Sequence, residues 1–258
     1  AVEAGTGDGA GRCPVTPQVF LDEFGTLAEA ENGVQKLRLL ILELAVRGKL
    51  AEQDDSDHHT SGLLDDLRDA KAAIVASKQY RNVKKFTPVK DEDIPFETPP
   101  NWAWVGIGDA MILINGKAFK PSDWGDSGLP IIRIQNLNNP NASFNHCDRD
   151  IDEKFHVQDD DFLISWSGTP GTSFGAFIWS NGHALLNQHI FRCPLVGNAF
   201  TKPFLRLAIN ARLDEMIAQA HGGVGLRHIT KGKLENLCIP LPPLAEQHRI
   251  VSKVDELM

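Results

Sequence analysis

One change of pattern constrains this chain more than any other feature. Up to about residue 90 its apolar residues recur at helical spacing, and from Ile107 they fall into short runs cut by turn residues. In the first part Val34, Leu37, Ile41 and Leu44 are spaced 3-4-3, with Gly33 as a start and Gly48 as a terminator just past Arg47. A polar loop, Glu52 to Thr60, leads to a second helix with Ser61 as N-cap and Leu64, Leu67 and Ile74 on one side. That helix fades into the basic stretch Lys78 to Phe86. The segment Asp91 to Val105 carries prolines at 95, 99 and 100 and reads as an extended connection that Trp102 and Trp104 dock onto the next domain.

Beyond it, apolar runs at 111–114, 130–137, 162–166, 174–179, 184–192 and 236–241 alternate with turn signals such as Asn115-Gly116 and Asn181-Gly182. One helix interrupts them, with Thr201 as N-cap and an end at His221-Gly222-Gly223. Helical spacing returns after Pro242-Pro243, where Leu244, Val251, Val254 and Met258 form a stripe flanked by Ile250 and Leu257, and Glu246, Arg249, Lys253 and Glu256 take the other side. The expected class is α+β: a helical hairpin, a connection, a β-rich domain with at least one packed helix, and the start of a further helix. A helix this short is marginal alone, so its stripe must fold back, with the Val34–Leu44 seam as its mate, or pair with a second copy.

Composition narrows the function classes. No run approaches the ~20 apolar residues of a membrane helix. The opening AVEAGTGDGAGRCP lacks a signal-peptide pattern and reads as a flexible leader. Four dispersed cysteines make no C-x-x-C pair and suit reduced thiols in the cytoplasm. The net charge is −8, with 12 Lys/Arg against 18 Asp/Glu in residues 1–99 and 14 against 16 in residues 100–258. No acid lies between Asp161 and Asp214, where Arg192, Lys202, Arg206 and Arg212 could form a local basic face. There is no Walker A loop, no G-x-G-x-x-G, no G-x-S-x-G and no recognisable amino-methyltransferase motif. His58 and His59 point apart in an acidic loop, and no metal or cofactor is expected of this chain.

Several stretches carry groups suited to DNA. In PIIRIQNLNNP, Ile132 and Ile134 alternate with Arg133 and Gln135, which would put Arg and Gln on one face of a strand, with Asn136, Asn138 and Asn139 following. Arg matches guanine and Gln or Asn matches adenine in the major groove. An ordinary exposed edge strand would look the same. SWSGTPGTSFG offers Thr169, Thr172 and Ser173 among glycines for backbone positioning. HGGVGLRHITKGK places Arg227, His228, Lys231 and Lys233 in an acid-free loop. Together with Lys117, Lys120 and Arg192 these are the candidate phosphate contacts.

In order along the chain, LRLLILELAVRGKL, IPFETPPNWAWVGIGD, NGKAFKP, GLPIIRIQNL, DDFLISWSGTPG, ALLNQHIFR and PLPPLAEQ-x-RIV-x-K-V-D-E-L resemble successive motifs of the specificity subunits of type I restriction–modification systems. The resemblance implies a non-catalytic DNA-reading subunit. It divides the chain into a leader (1–18), a helical region (19–90), a target-recognition domain (91–243) and the start of a spacer helix (244–258). It also implies long spacer helices in an antiparallel coiled-coil-like region, which dock methyltransferase subunits and, through them, restriction subunits. S-adenosylmethionine, ATP and magnesium belong to those partners. The motifs occur once, so one recognition domain is present, in a fragment or in a half-subunit that forms a homodimer through its spacer helices. Two other readings stay open: the recognition end of a larger methyltransferase or nuclease, and a helical protein-interaction adaptor.

Overall fold

The computed structural model describes residues 32–139, 141–167, 174–220 and 229–258, the side chains of 217–220 excepted. The chain divides into two compact units, residues 1–40 and 41–258. Helix α1 spans Gly33–Val46, and Gly48 closes it with φ +68°, its N–H bonded to Ala45 O at 3.2 Å and that of Lys49 to Leu44 O at 2.9 Å. Any side chain at 48 would meet the Pro99 ring, 2.5 Å from an ideal Cβ. Helix α2 spans Ser61–Ser77; Thr60, not Ser61, is the residue before it.

Among the described residues the β-rich part forms three sheets. Strands β1 (Ala103–Gly106) and β10 (Cys238–Leu241) form an antiparallel ribbon. Strands β2 (Ile114–Asn115), β9 (Ile190–Arg192), β6 (Phe162–Ser165) and β7 (Gly175–Ile178) form an antiparallel sheet in that order. The third sheet, in the order β4-β3-β8-β5, holds β4 (Asn145–Cys147), β3 (Leu129–Ile132), β8 (Ala184–Leu186) and β5 (His156–Val157), with β3 and β8 parallel. Four further helices are α3 (Ile107–Ala110), α4 (Ile134–Asn138), α5 (Lys202–Ala220) and α6 (Lys231–Glu235). Helix α7 closes the chain at Leu244–Leu257. The class is mixed helix and strand with open sheets, and the longest described helix has 19 residues.

Strand β6 explains how the layers stack. All four of its residues are buried, because alternate side chains enter different cores. Phe162 and Ile164 join the main core with Phe204, Leu205 and Ile209 of α5, Val105, Ile239 and Leu241 of the ribbon, and Leu67 of α2. Leu163 points the other way and meets Ile132, Leu186 and Ile190 between the two larger sheets. Of the two tryptophans expected to dock the connection, Trp102 packs on a distant helix and Trp104 packs within the connection itself. Trp102 lies edge-on to Phe204 at 6.5 Å, and Trp104 edge-on to Phe96 at 4.9 Å.

Helix α7 differs from its sequence pattern in one respect. Ile250 and Val254 are buried in the main core, and the helix packs against α5. Leu244, Leu257 and Met258 remain exposed. Glu246, expected on the polar side, is fully buried, and so is the neighbouring Gln247. Gln247 donates to Ala199 O and Pro242 O at 2.9 and 3.0 Å and accepts the Thr201 N–H at 2.7 Å. The Thr201 hydroxyl itself caps nothing and has no partner. Glu246 accepts from Trp102 Nε1 at 2.7 Å and from Gln53, and two bonds between Arg249 and Asp57 at 3.2 and 2.5 Å flank this lock.

Burial pushes the Glu246 carboxyl above the usual glutamate value, against the pull of its two N–H donors. Between the ordinary pKa of about 4.3 and that raised value, the folded state holds a proton that the unfolded chain has released. This group's contribution to stability therefore falls as pH rises through the window. Glu246→Gln keeps an acceptor for Trp102 and removes the titration. We expect its stability relative to wild type to rise from pH 4.5 towards pH 8 in urea unfolding. A difference that stays flat with pH would exclude this role for Glu246.

Candidate nucleic-acid interface

The parallel strands β3 and β8 end side by side and deliver two segments to one place. After Ile132 the chain does not continue as the strand expected to reach residue 137. Arg133 N–H donates to Asn136 Oδ1 at 3.0 Å, and residues 134–138 close into α4. A side-chain acceptor for that N–H is what ends the ladder here. The Asn136 amide then donates to Ala142 O and Ser143 O at 3.1 and 3.3 Å, and Arg133 Nη2 donates to Ser143 O at 2.9 Å. The loop is thus pinned to its own first turn. Asn136 is buried and its polar groups are used, so in this geometry it shapes the loop and presents nothing outward. Gln135 and Asn138 are exposed, and among the described residues their side chains make no hydrogen bond; the Gln135 carbonyl accepts the Asn139 N–H at 3.2 Å.

The second segment is Asn187 to His189, which splits the expected 184–192 run into β8 and β9 in different sheets. Asn187 N–H donates to Ile132 O at 3.2 Å, and Asn187 forms a parallel bridge with Lys117, whose N–H donates to Leu186 O at 2.9 Å. Gly116 makes this crossing possible. An ideal Cβ there would lie 2.0 Å from Asn187 O. Lys117, half-buried, lies with Nζ 5.9 Å from the Phe119 ring centroid. His189 and Trp166 stack at 5.4 Å, and Trp166 O accepts the Ile229 N–H at 3.2 Å. The described ends of the 168–173 and 221–228 segments therefore meet beside this turn.

The candidates divide as follows. Arg133, Gln135, Asn136, Asn138 and Lys117 are brought together around the β3 and β8 ends. Lys120 is exposed at the start of a short helical turn, where its N–H meets Asp123 Oδ2 at 2.8 Å. Lys231 and Lys233 sit on α6, and Lys231 is partly committed, donating to Leu113 O at 2.8 Å and lying 3.6 Å from Glu235. Arg192 is 4.0 Å from Asp161. Thr169, Thr172, Ser173, Arg227 and His228 lie outside the described residues.

The acid-free run does not make the basic face expected of it. Lys202 pairs with Asp160, Arg192 with Asp161 and the buried Arg212 with Glu215, while Arg206 makes no ion pair among the described residues. Carboxylates outside the run neutralise it in space. Asn187 was missed as part of the site. Its only signal was the interruption of an apolar run by Asn187-Gln188-His189.

Comparison with known proteins agrees with this architecture. Residues 99–258 match the family described as Type I restriction modification DNA specificity domain. The chain is 31% identical over 247 residues to the type I restriction enzyme EcoAI specificity subunit of Escherichia coli, covering 92% of this chain and 42% of that protein. It is 26% identical over 254 residues to the EcoEI specificity subunit of the same organism, covering 90% and 42%. It thus spans less than half the length of these relatives. Among solved structures, a chain from a study of complex assembly and conformational transition of the type I R-M system matches with TM-score 0.50 at 19% identity, covering 94% of this chain and 52% of that one. The HsdS subunit from Thermoanaerobacter tengcongensis gives a TM-score of 0.48 at 18% identity, covering 93% and 49%. On the match over most of its length, the chain belongs to the type I restriction modification DNA specificity family.

Proposed function

We propose that this chain is the DNA-reading part of a type I restriction–modification complex and reads one half of a split target through a single recognition domain, residues 91–243. The reading is carried by Gln135 and Asn138, with side chains exposed and, among the described residues, unbonded on a helix held by Arg133 and Asn136, beside Lys117 and Asn187. Side-chain amides suit the adenine edge, and a good bidentate pair gives ~1–3 kcal/mol of base discrimination. Arg133, with Nη2 on Ser143 O and Nε buried without a partner, keeps Nη1 for a guanine edge. Asn136 positions the loop. Lys117, Lys120, Arg192, Lys231 and Lys233 contact phosphates, joined by Arg227 and His228, while Thr169, Thr172 and Ser173 orient the backbone.

The chain itself is non-catalytic and cytoplasmic in this proposal. Its helical region, 19–90, and a spacer helix continuing from 244 form the antiparallel coiled-coil-like arrangement that docks methyltransferase subunits, which bring restriction subunits with them. A second copy joined through the spacers supplies the other half-site where the chain acts as a half-subunit.

Co-purification with the neighbouring methyltransferase, followed by selection from a randomised duplex pool, tests this directly. Enrichment of a split motif supports it. Stable protein binding with no enrichment would leave an interaction adaptor. In the selected duplex, Gln135→Ala and Asn138→Ala should each relax preference at one position with little change in salt dependence. Uniform weakening across all sequences would place these residues on the backbone instead.

A further inference from the structure

A cleft of about 960 Å³, whose lining includes Arg192 and Lys231, opens beside the β2–β9 ladder. Its floor is Ile112, Leu113 and Ile114, and one wall is the basic stretch after α2, residues 79–85. Seven cations and three carboxylates line it, an excess of four positive charges on a protein whose net charge is −8. Two carboxylates are already engaged. Asp109 lies 3.8 Å from the buried Lys71 and accepts the Thr87 N–H at 3.2 Å, while Glu235 lies 3.6 Å from both Lys84 and Lys231. Burial lowers the Lys71 ammonium and raises the Asp109 carboxyl, each against the pull of the other's charge, at the base of the cleft. Arg81 and Lys85 are exposed and make no ion pair among the described residues.

Two strands connect this cleft to the reading segments. Ile114 faces Arg192 in the β2–β9 ladder, and both line the cleft. Lys117 lies three residues after Ile114, just beyond β2, and His189 three residues before Arg192, just ahead of β9. At about 3.3 Å per residue the separation is at most roughly 10 Å, or about three base pairs of duplex at 3.4 Å each. From this we infer that the cleft holds the phosphodiester backbone of the same duplex, about three base pairs outside the bases that are read, with Arg81, Lys84 and Lys85 as its principal cations. The assignment of a duplex rests on the function proposed above. The cleft adds affinity without adding sequence preference, because phosphates carry no base identity.

The test combines Arg81→Ala, Lys84→Ala and Lys85→Ala in the full chain, alone and with its co-purifying methyltransferase. Binding is measured from 50 to 200 mM salt to the selected duplex and to a scrambled one. We expect affinity for both to fall by the same factor, on the order of tenfold to a hundredfold at the low-salt end. The salt slope should decrease by about two to three, the base preference should be unchanged, and phosphate-ethylation interference about three base pairs beyond the motif should disappear. The charge-conserving set Arg81→Lys, Lys84→Arg and Lys85→Arg should retain wild-type affinity. A triple variant with unchanged melting, affinity and salt slope overturns the inference. So does saturable binding of AMP that depends on these three residues while duplex affinity does not. Wild-type binding without sequence preference would sink the reading function and leave the cleft standing; no duplex binding at all would sink both.

Discussion

Trp102→Ala should cost this protein about 3–5 kcal/mol of stability, the usual range for deleting a large buried aromatic side chain. Trp102 is 6% exposed and lies edge-on to Phe204, and its indole N–H is one of two donors to the fully buried Glu246. Removing the ring opens a cavity and leaves a carboxylate oxygen inside without its partner, which alone costs about 1–3 kcal/mol. For a chain of this size each kcal/mol shifts the melting temperature by roughly 2–4 °C, so a drop of roughly 10 °C is expected. Trp102→Phe restores much of the volume but not the N–H and should fall between the two. The lock joins the connection, the loop at Gln53 and the closing helix α7, so its loss should also free α7, read as faster amide exchange at Ile250 and Val254. A melting temperature within 2–3 °C of wild type would show that the lock contributes little.

The second large effect is expected at Gly116→Ala. No rotamer can relieve this clash, because the added Cβ would sit 2.0 Å from Asn187 O and 2.4 Å from Asn187 C, both backbone atoms. The end of β2 must move away from the β8–β9 turn, at a cost of about 1–3 kcal/mol for forced overpacking. The effect on binding should be larger than that on folding, since the movement separates Lys117 from Asn187 and lifts the turn from Ile132. Selective binding to the preferred duplex should be lost while circular dichroism remains native. Gly62→Ala is the control: nothing lies within 4 Å of its Cβ position, and it sits in the first turn of α2, so it should be neutral or slightly stabilising. Retained selectivity in Gly116→Ala would mean that the crossing is not part of the reading surface.

How far the fold was legible depended on whether a signal was local. The change from helical to strand spacing and the termination of α1 at Gly48 both follow from residues near one another in sequence. The strand expected through residue 137 failed at Arg133 because one Asn136 side chain offered its N–H a closer acceptor than a neighbouring strand. Short strands of two or three residues, such as β4 and β5, had too few alternations to register. Glu246 read as solvent-facing because helical periodicity counts polarity, whereas its burial is set by Trp102 and Gln53, far away in sequence. Charge behaved the same way. The acid-free run between Asp161 and Asp214 was neutralised by tertiary neighbours, while the stretch Lys78 to Phe86, which read only as the fading end of a helix, became the wall of a cleft.

The loop after β3 has a consequence for how such a protein can change its target. Its fastenings are internal: Asn136 and Arg133 hold Ala142 and Ser143, and the outward residues Gln135 and Asn138 support none of the fold. Substitutions at those two side chains should therefore carry almost no penalty in stability. Under the base-reading role proposed for Gln135 and Asn138, new specificities would become accessible by single steps that leave the scaffold intact, and the reading surface could diversify much faster than the core that carries it.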